Sequence, residues 1–340
     1  MKQENETHEP SSVQAATGTA RPAVPDTGAR RPLDPRQGRL CRPCGTKPGA
    51  PLPAEPLVKW VGGKRNLLPQ LEQLMPDDVA PDFKGRLVEP FAGGLAVFFH
   101  LRPEEAILSD LNGELVNFYL QVRDNADDLL PLLDALARRP YTPEVYYEVR
   151  SSKPTSRLER AARFLYLNKY GFNGLYRENS RGEFNVSFGR SAGGKAPTLY
   201  DQDNIMAATR LLQRAELLTS PFERTLKRVN AGDFVFLDPP YEPISPTSAF
   251  TGYTKAGFSL KDQVRLRDAI LRIHRRTGGE AHVMMSNSVA PRLLELYAGR
   301  PELCISRVNA QRAVSAKASS RGGVPEVVVT NYPVREGRAA

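Results

Sequence analysis

Cysteine is scarce. Cys41, Cys44 and Cys304 are the only three in 340 residues, too few for a disulfide framework. Cys41-x-x-Cys44 has neither a second pair nor a neighbouring histidine pair, which excludes a zinc site on spacing. Histidine is equally sparse, and His8, His100, His274 and His282 lie too far apart in the chain to suggest a metal. No apolar run approaches the roughly 20 residues that span a bilayer; the longest near-continuous one, Leu95 to Leu101, is far shorter and contains His100. The N-terminus has no apolar segment of a secretory kind. These absences predict a cytoplasmic protein with reduced cysteines, no metal and no membrane partner.

What the chain has in excess is positive charge. Lys and Arg outnumber Asp and Glu 47 to 38, a formal net charge of +9, which suggests a polyanionic partner, with a merely soluble basic protein as the alternative. Residues 1–54 are rich in Pro, Arg, Ala, Gly and Thr without apolar periodicity and read as a disordered basic tail; 334–340 form a second short tail. Hydrophobic residues make up 40%, enough for one large α/β domain with an insertion or for two domains.

Three segments carry chemical signals. Leu57 to Leu68 places Trp60 before Gly62, Gly63, Lys64 and a helix, so that backbone can approach a ligand closely and a helix start favours anionic groups. Gly85 to Phe99 reads as a strand at Leu87 and Val88, a turn from Pro90 to Gly94, then an apolar helix. Ile107 and Leu108 form a second strand ending at Asp110. Strand, glycine turn, helix, strand and acid make the first half of a nucleotide-binding unit, with Asp110 suited to ribose hydroxyls. The turn lacks the three-glycine pattern, which favours a smaller adenosine-bearing cofactor over a dinucleotide.

The third segment is Asp233 to Tyr241. Phe234 to Leu237 is a short apolar run of the kind covered on both faces of a sheet. Asp238, Pro239, Pro240 and Tyr241 then end the strand, because proline fixes its own backbone and donates nothing. One carboxylate and one prolyl carbonyl can accept both hydrogens of a planar amine, while Tyr241 offers a ring for the attached base. The alternative is a proline-rich turn with Asp238 solvated.

Between the second and third segments, residues 113–220 read as mostly helical. Apolar spacing marks Leu115, Val116, Tyr119 and Val122, then Leu129, Leu132, Leu133 and Leu136, then Leu158, Ala161, Ala162 and Leu165. Lys169 to Arg190 differs: it mixes aromatics, Asn and Arg, alternates at Phe184, Val186 and Phe188, and carries turn signals at Asn179, Ser180 and Gly182, predicting a β-hairpin. Basic, amide and aromatic side chains together suit phosphate contact and base reading; the alternative is a hairpin packed on the helices beneath. Further on, 245–258 reads as a loop over the site, Ser259 to Asp262 as a capping-box helix start, Ala281 to Ser286 as a strand, and Leu303 to Val308 with Val324 to Thr330 as a strand pair joined by a basic loop.

Trp60 to Lys64, Pro90 to Gly94 and Asp238 to Tyr241, with Leu165 to Arg177 and Arg181 to Gly189 between, resemble the Dam-type family of S-adenosylmethionine-dependent DNA adenine N6-methyltransferases over about Leu57 to Tyr332. The resemblance implies a doubly wound, seven-stranded, Rossmann-like sheet with a mostly helical target-recognition insert and hairpin. The catalytic domain would comprise 55–112 and 221–333, and the insert 113–220. It implies catalysis by Asp238, Pro239, Pro240 and Tyr241, and a cofactor pocket of Trp60, Lys64, Phe91, Gly93, Asp110 and Asp238. Lys59, Phe172, Asn173, Leu175, Arg177 and Ser187 would contact double-stranded DNA, with GATC as the site and a bacterial or phage-encoded monomer as the enzyme.

Leu95 stands where that family has glycine. A left-handed leucine there costs roughly 1–2 kcal/mol and would crowd the cofactor, unless Gly94 takes the role by a one-residue shift. Two readings compete with DNA adenine methylation: exocyclic-amine methylation of cytosine, RNA or a protein amide, and a DNA-binding homologue with a decayed pocket.

Overall fold

The inner strands of this chain bury both faces, and that double covering sets the architecture. The computed structural model describes residues 53–191, 193–241, 258–310 and 324–334. The chain begins with α1 (Leu68–Leu74), β1 (Arg86–Glu89), α2 (Ala96–Leu101) and β2 (Glu105–Asp110). Five helices follow: α3 (Gly113–Asp124), α4 (Ala126–Ala137), α5 (Pro143–Ser151), α6 (Arg157–Tyr170) and α7 (Gln202–Leu212). The sheet resumes with β3 (Ala215–Thr219), α8 (Phe222–Leu226), β4 (Phe234–Leu237), α9 (Leu260–Thr277) and β5 (His282–Ser288). The order closes with α10 (Pro291–Tyr297), β6 (Cys304–Ala310) and β7 (Val324–Thr330).

The seven strands form one sheet in the order β3-β2-β1-β4-β5-β7-β6. The first five are mutually parallel, and β7 runs antiparallel to both β5 and β6. Side chains alternate between two cores, as the twofold repeat of a strand requires. Leu87, Phe234, Phe236 and Met284 face a core shared with α1 to α3 and the helical stretch. Val88, Val235, Val283 and Met285 face one shared with α8, α9 and α10. Doubly covered strands read as continuous apolar runs, and β4 is buried at all four positions.

Helix starts follow local chemistry. Asn112 accepts from the Glu114 and Leu115 amides at 3.1 Å each and so caps α3, satisfying donors that the helix leaves unpaired. Ser259 and Asp262 form the expected capping box, with the Ser259 amide donating to Asp262 at 2.7 Å. At the far end Gly278 is left-handed (φ 62°) and ends α9, a conformation that glycine adopts without penalty.

The stretch 113–220 departs from its mostly helical reading at one end. Ala215–Thr219 is the edge strand β3, paired with β2 from Ala106↔Ala215 to Asp110↔Thr219. Its burial alternates and Glu216 is exposed, so it lacks the apolar run that marks the inner strands. The expected hairpin between Lys169 and Arg190 is antiparallel but not a regular ladder: it is stitched at Gly171↔Phe188 and Glu178↔Phe184. Phe184 and Phe188 pack on the helices beneath through Tyr176, Tyr141 and Tyr146. The expected tail at 1–54 lies almost wholly outside the described residues, as do most of the 245–258 loop and the basic loop before β7. No described helix is long and apolar enough to cross a membrane, and no cluster of potential metal ligands occurs among the described residues.

Candidate active site

Where β4 runs out, its parallel pairing with β5 joins Leu237 to Met285 and so sets Asp238 level with Ser286. Asp238 Oδ1 accepts from Lys64 Nζ at 2.8 Å and from Ser286 Oγ at 3.2 Å. Lys64 is only 5% exposed. Its ammonium also donates to the Gly62 carbonyl at 2.8 Å, sits 4.6 Å from the centre of the Tyr241 ring and lies 3.9 Å from Glu326 Oε2. The Tyr241 hydroxyl donates to Glu326 Oε2 at 2.5 Å and reaches Ser286 Oγ at 3.3 Å. Behind the corner, Gln263 of α9 donates to the Pro240 carbonyl at 3.2 Å. Among the described residues nothing bonds the Pro239 carbonyl or Asp238 Oδ2.

Electrostatics here are dominated by burial. It raises the Asp238 carboxyl above its ordinary value, against the Lys64 ammonium and the Ser286 hydroxyl that favour the anion. Burial likewise raises Glu326, again opposed by Lys64. Two carboxylates therefore share one ammonium, which favours the ionised form of each against the burial that raises both.

On the neighbouring edge, Gly93 is left-handed (φ 46°), and a Cβ on it would lie 2.8 Å from Trp60 Cδ1, so both backbone and space demand glycine. Its amide donates to Asp110 Oδ2 at 3.0 Å, the Asn112 amide donates to Asp110 Oδ1 at 2.9 Å, and the Tyr119 hydroxyl donates to the Gly93 carbonyl at 3.0 Å. Burial raises the Asp110 carboxyl, opposed by the backbone amides of Asn112, Gly93 and Leu111. Trp60, Gly93 and Asp110 thus come together, while Leu111 beside them is 56% exposed. Phe91 stacks on Phe222 with centroids 5.5 Å apart and meets Phe258 edge-on at 5.8 Å, which makes it a brace beneath the turn.

Leu95 is left-handed itself (φ 57°). Gly94 has no positive φ, so the one-residue shift does not occur. Nor does leucine crowd a ligand: its side chain is 1% exposed and belongs to the core. Glu89, at the end of β1, is 2% exposed with no described partner for Oε1. Burial pushes its carboxyl up to about 8, against the Phe98 amide.

The six residues expected at DNA gather on one rim. Phe172 is 50% exposed, Asn173 is left-handed at φ 53°, and the Phe172 amide donates to the Ser187 carbonyl at 2.9 Å. Arg177 Nε donates to Asn185 Oδ1 at 2.7 Å, and Leu175 is half-buried. Lys59 is exposed, and its Nζ donates to the Lys169 carbonyl at 3.1 Å. Buried Asn168 ties this rim to the first segment: its Oδ1 accepts from the Lys59 amide at 2.8 Å and its Nδ2 donates to the Lys59 carbonyl at 2.7 Å. Trp60, next in the chain, stacks on Tyr176 with centroids 6.4 Å apart.

Sequence reasoning missed Ser286, Gln263, Glu326, Glu89 and Asn168 as site residues. Glu326 and Glu89 left one trace, a carboxylate set in an apolar strand. Asn168 left none, since an amide within a helix ordinarily faces solvent.

A model of the D12 class N6 adenine-specific DNA methyltransferase matches residues 60–314. The type II methyltransferase M1.LlaDCHI of Lactococcus lactis subsp. cremoris is 42% identical over 285 residues, covering 82% of this chain and 95% of that protein. The type II methyltransferase M.MjaIII of Methanocaldococcus jannaschii is 35% identical, with 82% and 99% covered. The DNA adenine methylase of Haemophilus influenzae is 33% identical, with 80% and 92% covered. With its sheet order, its Asp-Pro-Pro-Tyr corner and a match spanning most of its length, this chain belongs to the D12 class of N6 adenine-specific DNA methyltransferases.

Proposed function

We propose that this enzyme transfers a methyl group from S-adenosylmethionine to the N6 amine of an adenine swung out of double-stranded DNA, with GATC as the recognition sequence and one chain acting as a monomer. The observation that carries the reading is the corner itself: Asp238, held by Lys64 and Ser286, stands beside the Tyr241 ring. The described residues also fit the cofactor. Asp110 retains lone pairs for ribose hydroxyls, Leu111 offers exposed apolar surface to an adenine ring, and the orphaned oxygen of Glu89 suits an ammonium group.

A buried amine inside a stacked duplex cannot meet an electrophile, so the base must leave the stack at a cost of about a few kcal/mol. Tyr241 offsets part of that cost by stacking, and the rim residues Phe172 and Leu175 fill apolar space along the DNA. Asp238 Oδ2 and the Pro239 carbonyl then accept the two amine hydrogens, which turns the nitrogen lone pair outward. S-adenosylmethionine, when bound, supplies the activated methyl carbon. With the donor bound, the methyl group would pass to N6 and leave the donor as a neutral thioether, and Asp238 would take the surplus N6 proton, for which its burial suits it. Placement and exclusion of water supply most of the acceleration.

Labelled cofactor offered with duplex DNA, RNA and protein tests the reading, together with sequencing of DNA from an expressing host. Label in DNA as N6-methyladenine is expected, and label in RNA alone would overturn it. Asp238→Ala is expected to abolish transfer while changing DNA affinity less than about threefold; full activity in that variant removes Asp238 from its role.

A further inference from the structure

Glu326 lies far along the chain from every motif that points to the site, yet it closes the site's hydrogen-bond network. Its strand is the reversed one. The antiparallel pairing of β7 with β5 aligns Ser288 with Glu326 and Ser286 with Val328. That reversal delivers the first residues of β7, not its last, to the edge of the sheet where Asp238 and Tyr241 stand. The Glu326 carboxylate is 15% exposed, takes the Tyr241 hydroxyl at 2.5 Å and lies 3.9 Å from the ammonium that also grips Asp238. Ser286 completes the ring by touching Asp238 at 3.2 Å and Tyr241 at 3.3 Å.

We propose that Glu326 is a positioning residue for the reaction: by accepting the Tyr241 hydroxyl it fixes the plane of the ring on which the target base stacks, and by drawing on Lys64 it limits that ammonium's hold on Asp238. A tyrosine ring anchored only at Cβ turns about two torsions. A short bond to a buried carboxylate removes that freedom. The base then meets a ring already set at the angle that points its amine into the Asp238–Pro239 fork. The inference rests on the methyl-transfer reading above, and it assigns to β7 a part in catalysis that none of the three sequence segments contains.

The test is a cycle of Glu326→Gln, Glu326→Ala, Tyr241→Phe and the Ala/Phe double variant, assayed with labelled cofactor on duplex DNA carrying the mapped site. Glu326→Gln keeps an acceptor of the same shape and is expected within about threefold of the parent. Glu326→Ala is expected to lower kcat by about 10- to 100-fold, as misplacement of a reacting group does, with KM for DNA and cofactor affinity by calorimetry within about threefold. The double variant is expected to lose clearly less than the product of the two single losses, because both changes remove the Tyr241–Glu326 bond and only the Lys64 contact of Glu326 is left to add. A second readout needs no cofactor: duplex DNA with 2-aminopurine at the target adenine should fluoresce more brightly on Glu326→Ala than on the parent, since a loosened ring quenches the base less.

Equal loss in the Gln and Ala variants, full additivity in the double variant, or no loss in either would overturn the inference. Should Glu326→Ala fail to fold, the Gln and Phe variants still decide, through rescue in the first and a kcat loss in the second. A parent enzyme that transfers no methyl group would instead sink the underlying reading, so the two failures are distinguishable.

Discussion

Glu89 illustrates how a single carboxyl can set the pH response of the fold. Burial pushes its carboxyl up to about 8 from the 4.5 of an exposed one, so between those values the folded chain holds a proton that the unfolded chain has released. A raised acid pKa means that stability declines as pH rises across that window, by up to about 1.4 kcal/mol per unit from this group. Glu89→Gln removes the titration while keeping the shape. Urea unfolding at pH 5, 6, 7 and 8 should therefore show the variant gaining on the parent with each step and the gap levelling above 8. A constant difference across that range would mean that Glu89 does not titrate there.

At the level of elements, α2 begins on strain. Leu95 is its N-cap, left-handed, with no side-chain cap. The conformation costs roughly 1–2 kcal/mol, whereas burying leucine contributes about 1.5–3 kcal/mol, so packing narrowly wins. That balance predicts an unusual ranking. Leu95→Ala keeps the strain and loses the packing, costing about 2–5 kcal/mol. Leu95→Gly loses the same packing but relieves the strain, and should be more stable than the alanine variant by about 1 kcal/mol. Chemical denaturation measures both, and an alanine variant equal to or better than glycine would contradict the left-handed assignment.

Elements also mark where sequence reading succeeds and where it stops. The runs at Phe234 to Leu237 and at Ala281 to Ser286 are legible because both faces of those strands are covered. β3 is not, because an edge strand half open to solvent carries Glu216 among its apolar residues. The corner at Asp238 is legible because two prolines halt a strand abruptly. Glu326 shows beforehand only as a carboxylate in an apolar strand, and nothing in that marks the site, since only the antiparallel register of β7 brings it to Tyr241.

Across the whole molecule, the site draws Lys64 from the first segment, Asp110 from β2, Asp238 from β4 and Glu326 from β7. The rim proposed to face DNA is joined to it through Asn168 and Trp60. Asn168 grips both the N–H and the C=O of Lys59, and its Nδ2 also reaches the Gly174 carbonyl at 3.4 Å. Trp60 leans on Gly93 from one side and on Tyr176 from the other. A clasp of this kind makes the chain's two ligands partners in one ledger of free energy: whatever tightening one brings to the Lys59–Trp60 segment is credited to the other, by the same factor in both directions. Cofactor affinity measured by calorimetry with and without bound duplex should differ by several-fold in the parent, and Asn168→Ser should bring that ratio toward one. An unchanged ratio would mean that the grip of Asn168 is purely architectural. If the ratio does fall, an encounter with the wrong sequence leaves the methyl donor loosely held, and discrimination begins before any base has left the helix.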